Sequence, residues 1–168
     1  IDIKVVGVPK TIDNDVTETD HTPGFGSAAK YVATSLQEII RDSRVYSIPS
    51  VTIVEIMGHD AGWLAASSCV LRANGEPAPH MIYLPEGDFS PEKYLEDVKL
   101  AQLRYKAVIV AVSEGVTLDI KELEDDTDGK TDAFGHAMLG GIGKKLEKYT
   151  AAHIGCKVRS IELNVMQR

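Results

Sequence analysis

Cysteine is nearly absent from this 168-residue sequence: there are two, Cys69 and Cys156, and no CxxC pair. That leaves no room for a disulfide framework or a thiolate metal centre, and a reducing, cytoplasmic setting fits best. Aromatic residues are scarce too, at 6% with a single tryptophan. No apolar run approaches the roughly 18 residues of a spanning helix, and the opening IDIKVVGVP lacks the pattern of a signal peptide. Nothing in the pattern points to a membrane. Positive charge is in deficit, with 18 Lys and Arg against 25 Asp and Glu, for a net −7. Such a balance argues against nucleic acid as a partner, because non-specific binding rests on a basic face. A small anionic ligand stays open, since a few cations and helix N-termini can hold one inside an acidic protein. No GxGxxG follows any apolar run, so a dinucleotide fingerprint is missing as well.

What is present reads as one compact domain, with 43% hydrophobic and 26% charged residues. Apolar, β-branched runs predict strands at Ile3–Val8, Val51–Met57, His80–Leu84, Ala107–Val112 and Lys157–Leu163. Helical periodicity fills the gaps. Ser27–Arg41 lines up Ala28, Val32, Leu36 and Ile39 on one face, and Ala61–Ala73 reads as a second helix. A third begins at Ser90-Pro91-Glu92, a cap followed by the favoured first residue. A fourth is expected from about Phe134 to Thr150. Strands alternating with helices predict an α/β fold, a mainly parallel sheet covered on both faces. The acidic stretch Asp119–Asp132 reads as a solvated loop. Its Gly129-Lys130-Thr131 lacks the earlier glycine of a phosphate loop, and its carboxylates lack the final glutamate of a calcium loop.

In an open parallel sheet, ligands bind beyond the carboxyl ends of the strands. After the first predicted strand comes Lys10-Thr11-Ile12-Asp13-Asn14-Asp15. Two carboxylates two residues apart can share one side of an extended loop, one taking a proton from a hydroxyl while the other orients the site or a metal. Lys10 supplies a mobile charge suited to phosphate oxygens. Turn formation and helix capping are the plainer account of the same residues. Gly58 and Gly62 flank a strand-to-helix passage where backbone amides can approach an anion, unless tight packing alone requires them. Glu114 stands at a strand tip, placed either to accept from sugar hydroxyls or to cap a helix. Arg159 and Arg168 lie nine residues apart and offer bidentate phosphate contacts if they are not simply solvated. The histidines show no metal spacing, and Trp63 reads as core.

The run Pro9-Lys10-Thr11-Ile12-Asp13-Asn14-Asp15 resembles the phosphofructokinase family. The likeness continues through Thr22-Pro23-Gly24-Phe25-Gly26, Val54-Glu55-Ile56-Met57-Gly58, Ala61-Gly62-Trp63, Leu84-Pro85-Glu86, Ser113-Glu114-Gly115, Leu139-Gly140-Gly141 and Gln167-Arg168. It implies a Rossmann-like substrate-binding lobe. Asp13 looks like the base that deprotonates the 1-hydroxyl of fructose 6-phosphate, with Asp15 supporting it near magnesium-bound phosphate and Thr11 touching the substrate. Met57, Gly58 and His59 would line the sugar-phosphate pocket. Glu114 would hold sugar hydroxyls, and Arg159 and Arg168 would grip the 6-phosphate. Some arginines of the family act across a subunit interface, which implies a homodimer or homotetramer.

Lys10 resembles the pyrophosphate-using members, whereas ATP-dependent bacterial members usually carry glycine there. ATP stays the alternative donor, and a non-catalytic, sugar-phosphate-binding regulatory subunit is the reading from another class. His59 and Ser50 replace arginines of the family, and Val165 a histidine of its short bacterial members. The resemblance also implies that 1–168 is the central portion of a longer protein. A donor-binding segment would precede it and further substrate residues would follow, so the isolated piece is expected to be inactive.

Overall fold

Residues 2–118 and 141–168 are described by a computed structural model. Helix α1 (Phe25–Val45) opens after Gly24, whose φ of 98° turns the chain into it, and buries Ala28, Val32, Leu36 and Ile40 along one stripe. Strand β1 (Ser50–Ile56) follows, with every residue after Ser50 buried. Two short helices come next, α2 (Trp63–Ser67) and α3 (Val70–Ala73). The sequence predicts one helix there. The hydroxyls of Ser67 and Ser68 donate to Leu64 O and Ala65 O, each at 2.6 Å, and this local back-bonding marks the break. Beyond β2 (Met81–Tyr83), α4 (Pro91–Gln102) begins as its sequence predicts, with Ser90 Oγ accepting from Lys93 N at 3.2 Å. Then come β3 (Ala107–Ser113), α5 (Ile142–His153), β4 (Lys157–Glu162) and a closing 3-10 turn, Asn164–Gln167.

The four strands run parallel in the order β2-β3-β1-β4. Alternation along β1 splits the core between two layers. Val54 and Ile56 pack with Val32, Leu36 and Leu64 on the α1–α3 face, while Val51 and Ile53 pack with Tyr94, Val98 and Leu146 on the α4–α5 face. Helices therefore cover both faces, as predicted. The first predicted strand is a correction. Ile3–Val8 carries no regular structure and leaves Val5 87% and Val6 86% exposed, because the segment pairs with none of these four strands. The acidic stretch and the first residues of the fourth predicted helix lie outside the described residues. Among the described residues no helix is long and apolar enough to cross a membrane.

Candidate active site

The loop carrying Asp13 closes on itself through side chains. Thr11 Oγ1 accepts from Asp13 N at 3.1 Å and donates to Asp13 Oδ2 at 3.2 Å. Buried Asn14, at a φ of 60°, accepts from Thr22 N at 2.8 Å and donates to Asp20 O at 3.1 Å. Thr22 Oγ1 then donates to Thr11 O at 2.6 Å, tying the two ends of the loop together. The turn chemistry anticipated for this run is therefore real, but it belongs to Thr11, Asn14 and Thr22. It leaves Asp13 Oδ1 buried with no hydrogen-bond partner among the described residues. Burial raises the Asp13 carboxyl above its ordinary value. The Thr11 hydroxyl opposes that rise, the Asp15 and Glu114 charges add to it, and His59 opposes it. A half-buried carboxylate with an unclaimed oxygen and raised proton affinity is suited to take a proton from a bound hydroxyl.

Three further carboxylates hold backbone amides at the same edge of the sheet. Glu114, just past β3, accepts from Gly58 N at 3.1 Å and His59 N at 2.9 Å through one oxygen. Glu86 accepts from Gly62 N at 2.7 Å. Glu55, the next-to-last residue of β1, accepts from Gly141 N at 3.0 Å and Gly143 N at 2.7 Å at the start of α5. The amides of Gly58 and Gly62, read from sequence as anion-binding, are thus occupied by the protein itself. The backbones of these loops approach closely, since a Cβ on Gly115 would collide with the carbonyl of His59.

An open cleft of about 630 Å³ adjoins the Asp13 loop, lined by Asn14, Asp15, Asp20, His59, Asp60 and Trp63. Trp63 is a correction: it is 55% exposed, not core, because it starts α2 on the cleft side. Met57 is half-buried, His59, Asp15 and Lys10 are exposed, and Lys10 directly precedes Thr11. Arg168 follows the closing turn at this edge. Gln167, quoted above only as part of a motif, is 2% exposed and bonds both backbone polar atoms of Met57. Arg159 is not brought to the site. It pairs in register with Thr52, four residues before the end of β1, or about 13 Å down the strand at the usual rise. There it donates to Thr52 Oγ1, Asp42 and Ser43, each at 3.0 Å. Within this chain its guanidinium is therefore engaged by Thr52, Asp42 and Ser43, while Arg168 follows the turn beyond β4.

The fold is that of an α/β protein with a parallel sheet, and the candidate site lies at the carboxyl ends of its strands. A family model described as phosphofructokinase matches residues 1–168, and the chain belongs to that family. It is 41% identical over 165 residues to the pyrophosphate–fructose 6-phosphate 1-phosphotransferase of Xanthomonas campestris pv. campestris (strain B100), covering 97% of this chain and 40% of that protein. A sulfofructose kinase of Alkalicoccus urumqiensis is 36% identical over 167 residues, covering 99% of this chain and 42% of the relative. Among solved structures, the pyrophosphate-dependent phosphofructokinase of Marinobacter aquaeolei superposes with a TM-score of 0.77 at 35% identity. That match covers 96% of this chain and 37% of the other. The chain thus spans about two fifths of the curated relatives it matches.

Proposed function

We propose that the chain is the acceptor-binding, base-carrying portion of a phosphotransferase that moves a phosphoryl group from pyrophosphate to the 1-hydroxyl of fructose 6-phosphate, giving fructose 1,6-bisphosphate. The observation that carries this is Asp13 Oδ1, buried and unclaimed in a loop whose next residues, Asn14 and Asp15, line the cleft. As the acceptor's hydroxyl attacks, Asp13 takes its proton. Thr11 holds the other carboxylate oxygen, so the accepting oxygen points one way. Lys10 faces negative charge on the departing phosphate, the electrostatic help that phosphoryl transfer most needs.

Magnesium fits the chemistry of the donor set. No three His, Cys, Asp or Glu groups among the described residues are placed to hold an ion by themselves. Magnesium usually binds through one or two carboxylates plus substrate phosphates, and exposed Asp15 supplies one such carboxylate. Bound there, the ion would neutralise charge on the transferring phosphate.

Arg159 lies away from Asp13 in its own chain, which favours its serving a neighbouring copy. A homodimer or homotetramer follows from that reading, and the scarcity of cysteine fits a cytoplasmic setting. A second acceptor is favoured by His59, which stands where the family has arginine: a sugar with a singly charged sulfonate, as one relative's name has it, needs less cationic grip than a phosphate. The deciding assay uses the intact parent protein with magnesium, offering pyrophosphate or ATP as donor and fructose 6-phosphate or sulfofructose as acceptor. Turnover of fructose 6-phosphate with pyrophosphate alone supports the proposal. Turnover with ATP alone overturns the donor, and preference for the sulfonate overturns the acceptor. Binding without turnover makes this a regulatory subunit.

A further inference from the structure

Beyond β1 the chain passes through Met57-Gly58-His59-Asp60 before α2 begins. His59 there has a φ of 51°, a conformation that costs a side-chain-bearing residue energy unless its surroundings hold it. The surroundings do so through Glu114. One oxygen, Oε1, accepts from the amides of both Gly58 and His59, and Glu114 N donates to Ile56 O at 2.9 Å, fixing the base of the same loop. Gly115 lets the two loops touch backbone to backbone. Glu114 Oε2 makes no hydrogen bond to a described residue.

We propose that Glu114 is a positioning residue of the acceptor pocket. Its carboxylate holds the Met57–His59 loop in its strained shape before any ligand arrives, so the acceptor's anionic end meets the side chains of that loop and not its amides. A carboxylate oxygen shared by two amides is a charge-assisted contact, stronger than an uncharged one. An amide already donating to a carboxylate is not available to an incoming phosphate or sulfonate without displacing it. The loop amides, which look like an anion cradle from sequence, are therefore scaffold, and an incoming anion is left to side chains. This inference rests on the acceptor pocket proposed above, but its first test needs no substrate.

Three substitutions in the parent protein separate the clamp from the charge. Glu114→Gln keeps an oxygen that can accept both amides and loses the charge. Glu114→Asp keeps the charge but is one methylene too short to reach. Glu114→Ala loses both. Amide hydrogen exchange is read at Gly58 and His59 without ligand, with β1 as the internal reference. Exchange at these amides should be at least tenfold faster in the Asp and Ala variants and within about threefold of the parent in Gln. Parent-like exchange in Asp and Ala overturns the clamp, as does Ala-like exchange in Gln. In the kinetic arm, KM for fructose 6-phosphate should rise about tenfold in Asp and by less in Gln. The reverse order would show that Glu114 acts by charge on the sugar alone and would also overturn the proposal. A parent protein that turns over no substrate defeats the proposed function, while the exchange arm still decides the clamp.

Discussion

The side-chain amide of Gln167 brackets the backbone of Met57, its Oε1 accepting from Met57 N at 3.2 Å and its Nε2 donating to Met57 O at 3.4 Å. The two residues are 110 positions apart, and Gln167 is 2% exposed. This contact stitches the closing turn, with Arg168 behind it, to the loop that holds His59. Gln167→Ala removes both bonds and leaves a partly buried amide unpaired, a loss of about 1–3 kcal/mol. The expected outcome in the parent protein is a rise of roughly tenfold in KM for the acceptor, with kcat changed by less than about threefold. Steady-state kinetics check it. A variant with unchanged KM and only a lower melting temperature would make the stitch purely structural.

Asp13 carries the chemical step, so Asp13→Ser should lower kcat by about 10³-fold, within the range a positioned general base contributes. Acceptor affinity should move little, because Thr11, Asn14 and Thr22 hold the loop largely through backbone contacts that survive the change. Rapid-mixing measurement of product alongside equilibrium binding of fructose 6-phosphate separates the two effects. A rate within tenfold of the parent would remove Asp13 from the reaction.

The sheet was legible because buried parallel strands are written as β-branched runs, and Val51–Met57 and Ala107–Val112 have that signature. The same signature misled at Ile3–Val8, because apolar composition marks a segment fit for a sheet without supplying the neighbour it must pair with. Glu114 could be picked out by its place after a strand, and Lys10 and Asp13 by following a segment that only reads as one. What they do to one another could not. Glu55 interrupts a hydrophobic strand, and nothing local reveals that its partners are the amides of Gly141 and Gly143, 86 and 88 positions onward. Gly58 and Gly62 read as anion-binding because sequence shows donors and hides the carboxylates that claim them. Arg159 and Arg168 look like a pair at nine residues' spacing, yet one sits within β4 and the other beyond the turn that follows it.

Glu55 gives a stability prediction. It is 6% exposed and holds the start of α5 against β1, with burial raising its carboxyl above the ordinary value and the two amides opposing that rise. Glu55→Ala would leave both amides without their acceptor, and buried donors left unpaired cost about 1–3 kcal/mol each. Partial access of water to Gly141 keeps the expected loss near the bottom of the sum, about 3 kcal/mol. Urea unfolding at neutral pH measures it. Glu55→Gln, which retains one acceptor, should lose clearly less. Equal losses in the two variants would mean that the negative charge, and not the hydrogen bonding, secures the helix.

His80 makes stability depend on pH. Its Nδ1 accepts from Ile109 N at 2.9 Å, which requires that nitrogen to be unprotonated, and its Nε2 is buried without a partner among the described residues. Burial lowers its pKa below the ordinary 6.5, and the positive charges of Arg72 and Arg44 push the same way. As pH falls through 6.5 the unfolded chain takes up a proton that the folded ring refuses, so the unfolded state is favoured. The stability this neutral ring contributes is therefore complete above 6.5 and is lost between 6.5 and the lowered folded value, at up to about 1.4 kcal/mol per pH unit. Many carboxylates titrate further down the scale, so the measurement is a difference: melting temperatures of the parent and of His80→Gln between pH 8 and 5. The glutamine can still accept from Ile109 N but takes no proton, and its curve should be the flatter of the two. Parallel curves would mean that His80 is protonated in the folded protein as readily as in the unfolded chain, and the Ile109 amide would then have to find another acceptor.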